Sequence, residues 1–551
     1  MKKLTNSVGS NVGDTVEFGQ FGDADRDFVV NALNKGASRR EVMGWLVAMG
    51  ATVAAASSVV ASATDAIAAT PKKGGKIKFA WDLHGPSDTL DPILFTSSID
   101  YARGRLIYNN LTRIQEDLSA SPELAESFEA NADATEWTFK LRKDVEFHDG
   151  SKLTADDVVY SMMRHIGKDS KSKAKVLVGD VTEWKKDDDH TVKAILSSPN
   201  AELPIILGTF HFKIVKNGTT DFAMPTGTGP YKLTEFKPGV RSKHVRNDNY
   251  WVNGRPYVDE FEAFAITDGV ARTNALINGD IQMMGNVDPK SVPQVEQASG
   301  AEVFAVPSGA YMDIICRYDN GPAGANNADF IKGLKLLQRR DRVLKRVQKG
   351  IGDIGNDQPV GPAYGAMYAK GQEIGAYDPD KAKFHLKKAG ITSAELNVAE
   401  VGPGLTQICE LLQRECKKVG FNLNLKKVPN DGYWGAIWNK APMHVSSWNM
   451  RPSANIMMTL AYKSDAPWNE SAWKEPKLDA LLADMKSELD PAKRLEYSTA
   501  AQKLIADNAG TLISTHRAYI DGIRSNVKGI PKVPIGTLGG VEFPEFVWLD
   551  T

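Results

Sequence analysis

The 551-residue chain is poor in cysteine, with three in all, Cys316, Cys409 and Cys416, and no CxxC pair among them. Cys409 and Cys416 stand seven apart on a predicted helix, which separates them by about 10 Å along the axis. That exceeds the roughly 7 Å between Cα atoms that a disulfide spans. Cys316 could reach either of them, but three buried free thiols are the expectation. With no cysteine ahead of residue 316, a lipid-anchored N-terminus is not expected. Long apolar runs are missing too: after residue 70 no stretch of 18 apolar residues is available to span a bilayer. The formal charge is −1, without the basic surplus or stripe of a nucleic-acid binder. Of the nine histidines no two lie within four residues of each other, so no local metal-ligand pair is legible. A GxSxG elbow is absent as well. No catalytic residue, cofactor or metal is therefore expected.

What is present is an ordinary soluble balance, 42% hydrophobic and 25% charged, on a chain long enough for about three domains. Residues 1–37, rich in Gly, Asn and Asp, read as an unstructured leader. Ser38-Arg39-Arg40-Glu41-Val42-Met43 resembles a twin-arginine export motif, with Val42-Met43 where that motif usually has Phe-Leu. A weakly hydrophobic run, Gly44 to Val60, follows, and Ala66-Ile67-Ala68 fits a small-residue cleavage site. Residues 1–69 thus form a leader and export signal, and the general secretory route is the alternative to the twin-arginine machinery. The chain beyond it is neutral overall.

Two α/β signatures stand out. In Glu136 to Arg142, Trp137, Phe139 and Leu141 alternate with polar residues at the period of a half-buried strand. His148-Asp149-Gly150 marks a turn. Thr154 with Asp157 forms a capping box, ahead of Val158, Val159, Met162, Met163 and Ile166 at helical spacing. Farther on, Leu396 to Val401, Leu405 to Val419 and Leu423 with Leu425 predict a βαβ crossover and hence a parallel pair, with Gly420 as the helix stop. Asp378-Pro379 with Gly390, and Asp490-Pro491, open further helices. The GxGxxG string at Gly350, Gly352 and Gly355 follows an apparent helix, Leu336 to Lys349, where a dinucleotide loop follows a strand, so nucleotide binding is not expected. Asp187-Asp188-Asp189 falls between a lysine pair and an alternating strand, which predicts a solvated hairpin turn rather than a cation site.

The block Leu124 to Ile166 resembles the signature of the family 5 solute-binding proteins of ABC importers, receptors for dipeptides, oligopeptides, opines and related solutes. Leu90-Asp91-Pro92, Leu106 to Thr112, Gly227 to Lys232, Arg246 to Trp251, Leu276 to Ile281 and Tyr377 to Ala382 are similar to family strings in the family's order. The resemblance covers roughly residues 75–551. It implies an α/β fold, a bilobal periplasmic-binding-protein clamshell with an additional accessory domain. Residues 70–118, 232–312 and 515–551 would form a discontinuous first lobe, 119–231 the accessory domain and 313–514 the second lobe. Crossings near 313 and 514 would form the hinge. It further implies a free periplasmic monomer that binds a small organic solute, peptide-like or opine-like, and presents it to an ABC permease of the inner membrane. The alternative from another class is a secreted hydrolase on the same scaffold, for which no motif supplies a nucleophile, base and orienter. A further alternative is a soluble ligand sensor for a separate signalling protein, a sensor ectodomain itself being disfavoured by the missing transmembrane segment.

Five of the 11 tryptophans, Trp434, Trp438, Trp448, Trp468 and Trp473, fall in 40 residues interleaved with Asn449, Arg451, Asn455 and Asn469. Aromatic walls with a few fixed polar groups suit a closed cleft, although core packing accounts equally well for any single tryptophan except Trp448, which is expected to face the solute. Peptide receptors of this family usually carry an aspartate here that pairs with the ligand's α-amino group. The segment Ser447 to Asn455 has no carboxylate, and Arg451 reverses the local sign. Its planar fork matches a carboxylate on the solute; the alternative is an ion pair with an acid of the facing lobe. The candidate ligand-binding residues are Trp448, Arg451, Asn449, Trp434, Tyr101 and Tyr311.

Overall fold

The computed structural model describes residues 70–550 apart from 83–84, 373–374 and 431, together with six positions before residue 70. The twin-arginine pair and the cleavage site lie outside the described residues. Residues Lys73–Thr551 form one compact unit.

Its backbone is a twelve-stranded mixed sheet whose path runs Asn422–Lys427, Ser393–Val398, Met443–Trp448, Ala301–Cys316, Thr515–Arg524, Met283–Met284, Lys76–Trp81, Glu260–Ala265, Arg241–Arg246 and Tyr231–Lys237. Two long antiparallel strands, Ala301–Cys316 and Thr515–Arg524, hold its centre. To one side lies the predicted βαβ unit. Ser393–Val398 pairs in parallel with Asn422–Lys427 across the helix Leu405–Lys418, which buries Ile408, Leu411 and Leu412 and stops before Gly420 at φ 81°. On the other side Lys76–Trp81 pairs in parallel with Glu260–Ala265. At Pro307 to Ala310 the register of the central pair shifts, a bulge that faces Arg517 and Ala518.

A separate four-stranded antiparallel sheet runs Ala125–Ala130, Glu136–Leu141, Thr191–Leu196, Val181–Asp188. Trp137, Phe139 and Leu141 enter its core, and Thr154 and Asp157 make the reciprocal capping box of the helix Ala155–Met163. Val158 and Met162 pack inward as the spacing requires, but Met163 is 42% exposed, since the helix ends there and leaves that side in solvent. Asp187 and Asp188 close the strand Val181–Asp188, and Asp189 with His190 makes the expected hairpin turn into Thr191–Leu196, with Asp189 bridged to Lys186.

Asp378 and Asp490 cap the helices Pro379–Ala389 and Pro491–Asn508 with their side chains. The helix expected over Leu336 to Lys349 is shorter, a turn at Arg340–Arg342 running into the wide-turn segment Val343–Val347. Gly352–Ile354, in the glycine-rich string, is a strand paired with the central strand Thr515–Arg524, so its backbone donors are spent on the sheet and do not cradle phosphate. The glycines of the GTGPYK string have a packing cause. A Cβ at Gly227 or Gly229 would collide with the backbone at Ile107, the end of helix Ser98–Ile107. All three cysteines are free and buried. Among the described residues no helix is long and apolar enough to cross a membrane.

Candidate functional site

The central strand Thr515–Arg524 runs beneath two adjoining cavities of about 410 Å³ each, both of which reach Asn286, Asn449 and Tyr519. They form one cleft with two compartments.

The first compartment is lined by Tyr101, Phe210, His211, Arg451, Trp468 and Lys173, among others, and none of its described lining residues is acidic. Arg451 follows strand Met443–Trp448 and precedes Ser453, whose hydroxyl caps the helix Ala454–Tyr462. Its backbone N–H donates to the Tyr364 hydroxyl at 3.2 Å. Its guanidinium carbon lies 5.7 Å from the Trp448 ring centroid and 5.9 Å from that of Trp468, within the range of cation–π attraction. Its Nε is buried without a hydrogen-bond partner. Among the described residues no carboxylate forms an ion pair with Arg451. Tyr101 stacks on Phe210 at 4.3 Å and 16°. Burial pushes its phenol up to about 12, and the Arg451 charge pulls the other way. His211 accepts no proton near neutrality: burial pushes it down to about 4, while one ring nitrogen stays 2.9 Å from the Phe95 carbonyl. The compartment is therefore apolar and cationic.

The second compartment is lined by Asp82, Arg272, Asp288, Gln348, Arg517 and Tyr519, among others. Arg272 is committed elsewhere, its guanidinium donating to the carbonyls of Ile266, Gly285 and Asn286. Asn286 sits at the junction with φ 59°, a left-handed conformation that asparagine tolerates better than most residues. Its backbone N–H donates to Asp521 at 3.0 Å and its amide to both oxygens of Asp82 at 3.1 and 3.2 Å. Asp521 also accepts the Leu538 N–H and is wholly buried. Burial raises its carboxyl to about 7 against the pull of those two N–H groups.

The six sequence candidates are thus divided. Tyr101, Asn449 and Arg451 line the cleft. Trp448 is 4% exposed, with its indole N–H donating to Glu470 at 3.0 Å, and serves as a platform under Arg451. Tyr311 is fully buried, stacked on Trp448 through the pairing of their strands. Trp434 is 47% exposed, edge-on to Trp438 5.6 Å away, and lines neither compartment. Of the remaining tryptophans Trp438 also donates to Glu470, Trp473 is core, and Trp468 alone lines the cleft. Asn455 and Asn469 are buried and bond Glu202 and backbone carbonyls. Asn286, Arg517, Tyr519 and Lys173 escaped the sequence reading, because none stands in a local pattern that marks it. Among the described residues no cluster of three His, Cys, Asp or Glu side chains is arranged to hold a metal ion.

Comparison with known proteins follows the same architecture. The model of the bacterial extracellular solute-binding proteins, family 5 Middle, matches residues 119–470. The dipeptide-binding protein of Escherichia coli K12 is 26% identical over 502 residues, covering 82% of this chain and 91% of the relative. Two solved structures share the fold. One is the ABC transporter-associated periplasmic binding protein DppA of Helicobacter pylori in complex with the peptide STSA (21% identity, TM-score 0.70, 87% of this chain and 99% of the other). The other is AgaA of A. tumefaciens R10 with agropinic acid (22% identity, TM-score 0.69, 86% and 99%). The fold is the bilobal α/β clamshell of periplasmic binding proteins.

Proposed function

The chain belongs to the bacterial extracellular solute-binding proteins, family 5, and we propose that it is the periplasmic receptor of an ABC importer for a peptide-like or opine-like solute that bears a carboxylate. The observation that carries the ligand class is Arg451, a guanidinium held over two tryptophan rings with no carboxylate partner, in a compartment without acidic lining. Arg451 is half-buried, with its Nε shut off from water and unpartnered, and a partly desolvated cation left uncompensated by the protein costs free energy unless a ligand supplies the counter-charge. Two curated or solved relatives, one a dipeptide-binding protein and one holding agropinic acid, support amino-acid-derived solutes as the class.

In this reading residues 70–118, 232–312 and 515–551 form one lobe, 313–514 the other and 119–231 an accessory domain. The crossings near 313 and 514 serve as the hinge, closure traps the solute, and the closed form is presented to an inner-membrane permease. The protein acts by binding and makes or breaks no bond. Export of the folded chain through the twin-arginine machinery, followed by life as a free monomer, completes the proposal.

Native mass spectrometry of protein purified without refolding gives the mass of any retained solute. Small-angle scattering then tests the clamshell: the saturating solute is expected to compact the molecule and, at a hundredfold excess over Kd, to add about 2.7 kcal/mol of stability. An unchanged scattering curve would argue against hinge closure, and consumption of the solute would argue for a hydrolase.

A further inference from the structure

Arg517 projects from the central strand into the second compartment, two residues from Tyr519 and hence on the same face. Opposite it the partner strand bulges, so that Ser308 and Gly309 fall outside the register and Arg517 pairs with Ala310 while Ala518 pairs with Pro307. The backbone of Arg517 is tied down, its carbonyl accepting from the Ser308 hydroxyl at 2.7 Å. Its guanidinium is not. Nε is buried without a partner, and among the described residues no carboxylate lies within ion-pair distance. Asp82 and Asp288 line the same compartment, but Asp82 is bonded to the Asn286 amide and neither pairs with Arg517. Desolvation drags Arg517 below the ordinary guanidinium range.

Tyr519 links the compartments electrostatically, since Arg517 and Arg451 both act on its hydroxyl, which burial pushes above the usual phenol range. Asp82 and Asp288 line the second compartment, but among the described residues no carboxylate forms an ion pair with either guanidinium, so the cleft carries two unpaired guanidiniums, one on each side of Tyr519.

We propose that Arg517 is a second anion anchor, so that the solute filling this cleft carries two acidic groups, one against Arg451 and one against Arg517. This rests on the reading of the cleft as a solute site and narrows it to dianionic solutes. A monoacid would leave one of the two guanidiniums uncompensated, and selectivity against it follows from that penalty.

The test uses the full protein and two matched pairs of probes. Ala-Glu is compared with Ala-Gln, and an N-(carboxyalkyl) amino acid with its monoamide, by titration calorimetry on wild type, Arg517→Met, Arg517→Lys and Arg451→Met. The expected result is a preference of about tenfold or more for the diacid of a pair, lost in Arg517→Met and partly restored in Arg517→Lys. The ligand-free melting temperature of Arg517→Met is expected to match or exceed that of wild type, because the substitution removes a half-buried charge whose Nε has no partner; a purely structural arginine would show the reverse. Equal binding of diacid and monoamide, or a diacid preference that survives Arg517→Met, overturns the second anchor while the receptor reading stands. Wild type that binds none of the four probes overturns the peptide-like or opine-like reading together with the inference.

Discussion

Asp521 lies under the cleft, wholly buried, and fixes Asn286 by accepting its backbone N–H. Its carboxyl is raised to about 7 by burial, with Asp82 adding in the same direction and the N–H groups of Leu538 and Asn286 opposing. The ordinary value, 3.8, applies to the unfolded chain. A folded value above the unfolded one means that the stability this group contributes is fully present below pH 3.8 and is lost as pH rises through about 7. The gap is about three pH units, and at 1.36 kcal/mol per unit it corresponds to about 4 kcal/mol between the two limits. For a chain of this length the entropy of unfolding converts that to roughly 4 °C in melting temperature. Asp521→Asn removes the titration but keeps one acceptor oxygen. Melting curves of wild type and Asp521→Asn between pH 4 and pH 8 should therefore converge or cross, wild type being relatively stronger at the acid end. Parallel curves, offset by a constant amount, would refute the reasoning and assign Asp521 an ordinary ionised state throughout. Since Asn286 hangs from the same carboxylate, solute affinity should weaken in the variant as well.

Arg451→Ala should lose binding of an acidic solute by about 2–5 kcal/mol, with Arg451→Lys recovering only part, as the ammonium lacks the fork; titration calorimetry that finds unchanged affinity defeats the contact. Glu123 is buried, which raises its carboxyl, yet Arg105, Arg113 and Lys213 outweigh that and hold it at about 2. Glu123→Gln leaves those cations short of a counter-charge and should cost about 3–5 kcal/mol in denaturant unfolding. A loss below 1 kcal/mol would show the network to be redundant. Replacing Arg39 and Arg40 by Lys should leave precursor in the cytoplasm on cell fractionation, whereas undiminished periplasmic protein would point to the general secretory route.

Most of the local structure, and the class, were legible along the chain, the helix over Leu336 to Lys349 being the exception. Alternation at Trp137, Phe139 and Leu141, the Thr154–Asp157 box, the Asp-Pro starts at 378 and 490 and the stop at Gly420 each rest on interactions among residues a few positions apart, and such patterns survive in a linear reading. Arg451 was legible as the one charged side chain of Ser447 to Asn455, a segment without carboxylates. The site came from contacts between distant segments. Asn286, Arg517 and Tyr519 converge only because strands separated by more than two hundred residues become neighbours in one sheet. The central strand carries half-buried or buried residues on both faces, so no alternation marks Arg517 or Tyr519 as facing a cavity. The tryptophan cluster was visible as composition, but which rings meet the cleft was not. Trp448 turns its N–H into the core toward Glu470, Trp434 stands in solvent and Trp468 faces the opening, and those directions follow from packing partners that no spacing along the chain records.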